Sequence, residues 1–341
     1  VLILFYRIVF WSSAVQDSEG KAFIASQSAR TTTPISGAIA ARVGEDKFCD
    51  MGQPRRIFAL SALNGDVLRL RHLHDYLLEN VRPGDRIIYL GDYVNSRHGA
   101  AALNEMLLFR QMMMMRPGME ASDFVYLRGV CEEAWQRLTR IPFAHEPERM
   151  LQRLLDEGAD HYLAAYGVDY KIGERAARSG LPALSRWTQQ LRETQRNTPG
   201  HEQLMCQMRR AAYTRGAHKL LFVPCGYDPG RVLLHQGDAL WSATSGFGRI
   251  VGPVQGYKRV IRGRDFAALG LHADNATLTL DTKDGAGALL CAVLLPTGQT
   301  EKILQVPILP EPLPAKRKIH TGVKKSPYGY SKEQQTSQSR V

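Results

Sequence analysis

The chain alternates between two hydrophobic periods. Short apolar runs at Ile57–Ser61, Ile87–Leu90 and Phe124–Leu127 are bounded by polar or turn residues, the pattern of strands buried on both faces. Between them, Val67–Val81 sets Leu68, Leu70, Leu73, Tyr76 and Leu77 at helical spacing, and Ala100–Met115 reads as a helix stopped by Pro117-Gly118. Pro83-Gly84 marks a turn. This βαβαβ order predicts neighbouring parallel strands with functional loops at their C-terminal ends. A long helical stretch follows from Glu132 to His218, with Met150, Leu151, Leu154, Leu155, Trp187, Leu191, Leu204 and Met208 at helical spacing. Strands are expected again at Lys219–Val223, Arg259–Ile261, Ala276–Asp281 and Leu289–Leu295.

The ends read differently. Residues 1–53 have no clear period and are expected to be a disordered arm or an upstream over-call, with Met51 standing just before the first clear strand. Residues 55–306 read as one domain with a helical insertion at about 132–218, and the Pro-rich, basic stretch 307–341 reads as a disordered tail. That tail sets Lys316, Arg317, Lys318, Lys324, Lys325, Lys332 and Arg340 against Glu311 and Glu333, so it holds much of the net charge of +11. A solvated end explains it, because no aromatic-interleaved basic stripe marks a dedicated nucleic-acid domain.

Composition narrows the class. An apolar content of 44% over 341 residues is enough for a proper core, and no apolar run reaches the roughly 18 residues of a membrane span. Five scattered cysteines, Cys49, Cys131, Cys206, Cys225 and Cys291, form no CxxC pair; they fit a reducing cytosol better than a disulfide framework or a zinc ribbon.

The candidate chemistry lies at the strand ends. Ile87-Ile88-Tyr89-Leu90-Gly91-Asp92-Tyr93-Val94-Asn95-Ser96-Arg97 ends an apolar run in a Gly-Asp turn. The segment resembles the GDxVDRG signature of the calcineurin-like metallophosphoesterases, in the bacterial serine/threonine protein phosphatase branch. Other degraded signatures follow in order: Ser61-Ala62-Leu63-Asn64-Gly65 for GDxHG, Leu127-Arg128-Gly129-Val130-Cys131-Glu132 for LRGNHE, and Phe222-Val223-Pro224-Cys225-Gly226 for FVHAG. Ile261-Arg262-Gly263-Arg264-Asp265 stands for VHGHT, and Leu280-Asp281-Thr282, Gly287, Leu290 and Ala292 for the closing strand-turn-strand. These motifs span about 240 residues. The resemblance implies an α/β (α+β) calcineurin-like fold, a two-sheet β-sandwich flanked by helices with a helical insertion, and a phosphoesterase ancestry acting on phosphoproteins or small phosphorylated molecules.

Carried over residue by residue, the same resemblance implies loss of the metals. The family expects divalent Mn, Fe or Zn, but only Asp92 keeps a good ligand. Ala62, Asn64, Val130, Pro224 and Arg264 occupy the other metal positions, and none is a good transition-metal ligand. Cys131 takes the place of the general acid and Asn95 that of its orienting Asp. A metal lowers the pKa of bound water from 15.7 to about 7, worth roughly 12 kcal/mol. An arginine supplies roughly 4–7 kcal/mol in phosphoryl transfer.

The expectation is therefore a pseudo-phosphatase without a cofactor. Arg264 would pair with Asp92, and Arg97, Arg128 and Arg262 would join Arg264 in an anion-accepting pocket for a phosphorylated small molecule or phosphoprotein. Two alternatives stay open. One is a rearranged mononuclear site of Cys131, Asp92, Asn64 and Cys225. The other is an interaction surface on the insertion, which carries Trp135, Trp187, Tyr162 and Tyr166. Three acidic positions have local readings. Asp66 is expected to cap the first helix, and Glu132-Glu133 to meet the dipole of the next long helix.

Overall fold

The computed structural model describes residues 47–96, 98–282 and 288–307. The expectations for the arm up to residue 46, for Arg97, for Gly287 and for the tail from residue 308 lie outside the described residues.

Strands β2 (Ile57–Leu60), β3 (Arg86–Tyr89) and β4 (Phe124–Tyr126) pair in parallel, as the βαβαβ reading requires. The crossovers are helices α1 (Val67–Asn80) and α2 (Gly99–Met114). Helix α1 starts where Asp66 accepts a hydrogen bond from the Arg69 backbone N–H, the expected cap. Strands β10 (Ala288–Leu294) and β11 (Thr300–Pro307) continue this sheet antiparallel, giving the order β11-β10-β2-β3-β4.

A second mixed sheet runs β1-β5-β6-β7-β9-β8, built from β1 (Phe48–Asp50), β5 (Ala211–Tyr213), β6 (Lys219–Val223), β7 (Tyr257–Arg262), β8 (His272–Ala273) and β9 (Thr277–Thr279). Period-two alternation packs the two sheets together. Ile57, Ala59, Ile88 and Leu90 of one meet Leu220, Phe222, Ile261 and Leu278 of the other in a single buried cluster. The intervening residues Phe58, Leu60, Ile87 and Tyr89 face α1, α2 and the insertion. Both faces of this sheet are thus buried, which is why its strands read as unbroken apolar runs.

Several boundaries move. Residues 47–53 belong to the sheet rather than to an arm: β1 pairs parallel with β5, and Met51 is buried in the inter-sheet core. Three-residue strands such as β1 and β5 are too short to show a period. The insertion consists of α3 (Val130–Arg140), α4 (Pro147–Asp156), α5 (Ala159–Ala165), α6 (Tyr170–Arg178), α7 (Leu181–Arg196) and α8 (His201–Gln207). It ends before β5, not at His218. The outer face of the second sheet is covered by loops and short 3-10 helices rather than by α-helices; there Tyr227, Leu240, Trp241, Phe247 and Ile250 pack on Leu221, Val223 and Val260. All five cysteines are free. Among the described residues, no helix is long and apolar enough to cross a membrane.

Candidate functional site

The degraded motifs converge at the C-terminal ends of β2, β3, β4, β6 and β7. Backbone contacts clasp their loops. The Ala62 N–H donates to the Gly263 carbonyl at 3.1 Å, and the Pro224 carbonyl accepts from both Gly263 and Arg264 at 3.1 Å. Pro224, without a ligand of its own, therefore serves the loop through its oxygen.

Glycine sits where these loops touch. Gly91 has φ 111°, and a Cβ there would lie 2.5 Å from the Gly129 Cα; a Cβ on Gly129 would lie 2.1 Å from the Asp92 nitrogen. Asp92 follows at φ 57°, a left-handed conformation that Asp tolerates better than most side chains.

Glu132 holds this strained turn. Its buried carboxylate accepts the backbone N–H of Asp92 (2.9 Å), Tyr93 (2.8 Å) and Val94 (3.2 Å), and that of Gly129 at the start of its own helix (2.9 Å). Burial and the neighbouring Asp92 charge hold its carboxyl above the ordinary range, and the donated N–H groups oppose that shift. Glu132 and Glu133 both lie in the first turn of α3, as expected, and Glu132 there accepts the N–H of Gly129 just before the helix. The same carboxylate also reaches across to the β3 loop, a second role that the first-turn reading did not include.

Asp92, 2% exposed, divides its two oxygens between two donors. Oδ1 accepts the Cys131 backbone N–H at 3.0 Å, and Oδ2 accepts Arg264 Nη1 at 2.8 Å. The Arg264 guanidinium lies 4.8 Å from the Phe266 ring centre, and the Asp92 charge raises its pKa further, so it stays cationic. The ion pair expected between opposing strand ends is present.

The other candidates are placed differently. Cys131 is fully buried, and desolvation followed by the Asp92 charge pushes its thiol well up. A thiol so held supplies neither a thiolate nor an accessible proton, so its candidate role as the acid is corrected. Asn95 does not orient it, because the Asn95 Nδ2 donates to Asn64 Oδ1 at 3.0 Å. Val130 is the first residue of α3.

The arginines do not gather into one pocket. Arg128 lies 3.1 Å from Glu133, bonds Gln136 at 2.6 Å and packs over Trp241. Arg262 lies 3.1 Å from Asp265, bonds Thr279 at 2.9 Å, packs over Phe247 and lines a separate cavity of about 260 Å³. Each has found a carboxylate, because a buried guanidinium costs several kcal/mol when left unpaired. Only Arg264 of the described three lines the strand-end cavity, whose volume is about 410 Å³. Residues that sequence reasoning did not assign to the site complete it: Tyr162 from α5, Arg137 from α3, Leu154 from α4, and Trp241 and Phe266 from loops.

The residues present do not fit a metal. Among the described residues, no group of three or more His, Cys, Asp and Glu side chains is close enough to hold an ion. The alternative site of Cys131, Asp92, Asn64 and Cys225 is therefore not assembled. Burial pushes the Cys225 thiol up to about 12, and Arg264 already occupies the inner oxygen of Asp92.

No family model matches the chain, and no curated protein matches it. Among solved structures, one described as "Crystal structure of a putative diadenosine tetraphosphatase" superposes with a TM-score of 0.44 at 13% identity, covering 77% of this chain and 98% of that one.

Proposed function

We propose that this chain is a metal-free, non-hydrolytic derivative of a phosphoesterase-type domain that binds a small ligand through an anionic group at Arg264. The observation that carries this reading is the 2.8 Å pair between Arg264 and the buried Asp92 at the strand ends. A guanidinium supplies fixed positive charge and N–H donors there, but it neither accepts a lone pair nor acidifies a water. The Arg264 guanidinium spends Nη1 on Asp92 and meets no other oxygen acceptor among the described residues, so its other N–H groups remain for a phosphate or carboxylate oxygen. The cavity volume suits a small molecule better than a folded partner's surface. The five free cysteines accord with a reducing, cytoplasmic setting.

The test has two parts. Full-length protein is incubated with manganese, iron or zinc, freed of unbound ion, and assayed for metal content and for release of phosphate from p-nitrophenyl phosphate and a dinucleoside polyphosphate. Substoichiometric metal and no turnover are expected; two metals per chain with turnover would overturn the reading. Inorganic phosphate at millimolar concentration should raise the unfolding temperature of the native chain, and Arg264→Met should abolish that rise.

A further inference from the structure

The cavity beside Arg264 has more than one electrostatic character. Its wall also carries Glu133, Glu157 and Asp238. Arg137 lies 3.3 Å from both Glu133 and Asp238, and Arg153 lies 3.1 Å from Glu157. The three lining arginines are thus matched by three lining carboxylates, with Asp92 as a further acid behind Arg264. A polyanion entering this space would meet as much negative charge as positive, so charge balance favours a ligand that carries both signs.

The carboxylates are not equally committed. Asp238 has a side chain 78% exposed and a single arginine contact at one oxygen, and Glu157, 46% exposed, likewise meets its arginine through one oxygen. Both keep lone pairs for an incoming donor. The apolar part of the lining is Leu154, Trp241 and the half-exposed Phe266.

We infer that the cavity takes a small zwitterion, with its one anionic group on Arg264, its cationic group on the Asp238–Glu157 rim and its apolar body against Trp241 and Phe266. The inference rests on the proposed role of Arg264 as a metal-free anion site, and it narrows the ligand class within it. A phosphorylated amine and an amino acid share this chemistry, and the test separates them.

The experiment is calorimetric titration of the full chain with matched pairs that differ in the ammonium group. O-phosphoethanolamine is compared with ethyl phosphate, and phenylalanine with 3-phenylpropionate; inorganic tripolyphosphate is the polyanion control. At least one zwitterion should bind about tenfold or more tightly than its ammonium-free partner, the expected gain from a charge-assisted hydrogen bond. Which pair shows the gain identifies phosphate or carboxylate as the anionic end. The double variant Asp238→Asn/Glu157→Gln, changed only at the exposed rim, should remove that gain, with the ammonium-free partner binding no more weakly than to the parent chain. Arg264→Met should remove binding of both members. Ammonium-free partners or tripolyphosphate binding as tightly as the zwitterions, and only through Arg264, would overturn the zwitterion inference and leave the anion site standing. No binding by any of the five would overturn both.

Discussion

Arg264 and Asp92 form a unit whose members are unequal in burial, with side chains 27% and 2% exposed. Removing the arginine strands a carboxylate in the interior, whereas removing both charges leaves only a change of shape. Arg264→Met should therefore cost about 3–5 kcal/mol in urea unfolding, and Asp92→Asn/Arg264→Met should recover much of that loss. Additive costs would show that the pair is not a coupled unit. At this scale the sequence was legible where chemistry alone decides. Asp92 with an arginine facing it follows from the motifs at two opposing strand ends, and Asp66 as a cap follows from its place before Val67. The first-turn place of Glu132 was legible but its reach was not, because nothing local tells that the same carboxylate also accepts from a loop 40 residues earlier. Arg128 and Arg262 were misjudged for a related reason. Their carboxylate partners Glu133 and Asp265 are near in sequence, but side-chain direction out of a strand end is fixed by packing on Trp241 and Phe247.

The insertion shows what an element needs to stay docked. Helix α8 is only seven residues long, too short to hold itself by propensity, yet its first residue is fully buried. His201 bridges three elements: its Nδ1 meets the Tyr166 hydroxyl at 2.9 Å and its Nε2 meets Asn104 Oδ1 on α2 at 2.9 Å. The neutral ring suits both contacts, with Nε2–H donating to Asn104 and Nδ1 accepting from Tyr166. Desolvation pushes its pKa down to about 4 from the ordinary 6.5. The folded chain thus binds fewer protons than the unfolded chain between those values. This contribution is complete above pH 6.5 and is lost as pH falls through 4, amounting to about 3 kcal/mol. Glu132, held above its ordinary range, acts in the opposite sense, so the raw pH profile mixes the two. Subtracting the profile of His201→Gln, whose amide can replace both contacts, isolates the histidine. The difference should grow in the variant's favour from pH 6.5 to 4, and a flat difference would refute the assignment. The helical period of the insertion was readable, but its end was not. Strand β5 has three residues and takes its identity from β1 and β6 on either side.

At the scale of the whole molecule, apolar alternation explains why two sheets face each other but not what fixes their alignment. Arg259 on β7 bears on that question. It is 6% exposed, and no carboxylate among the described residues lies within ion-pair distance of it; its Nε donates to the Thr277 carbonyl of its own sheet at 3.1 Å. Its Nη1 donates to the Gly298 carbonyl at 3.1 Å and to Thr300 Oγ1 at 2.9 Å, both on the hairpin of the other sheet. Lys258 adds a second link, to the Thr297 carbonyl at 2.7 Å. Burial lowers the Arg259 pKa, and the more distant Asp274 charge opposes that shift. Nothing in the run Tyr257–Arg262 announced this, since the partners come from a turn about 40 residues later. Arg259→Met keeps the aliphatic stem but leaves two carbonyls and a hydroxyl without their donor. The cost should be about 2–5 kcal/mol, which for a domain of this size lowers the unfolding temperature by about 5–15 °C. Zwitterion or phosphate affinity at Arg264 should be unaffected in the folded variant, because the strand-end loops clasp through their own backbone bonds. An unfolding temperature within about 2 °C of the parent would mean that the apolar core alone sets how the sheets meet.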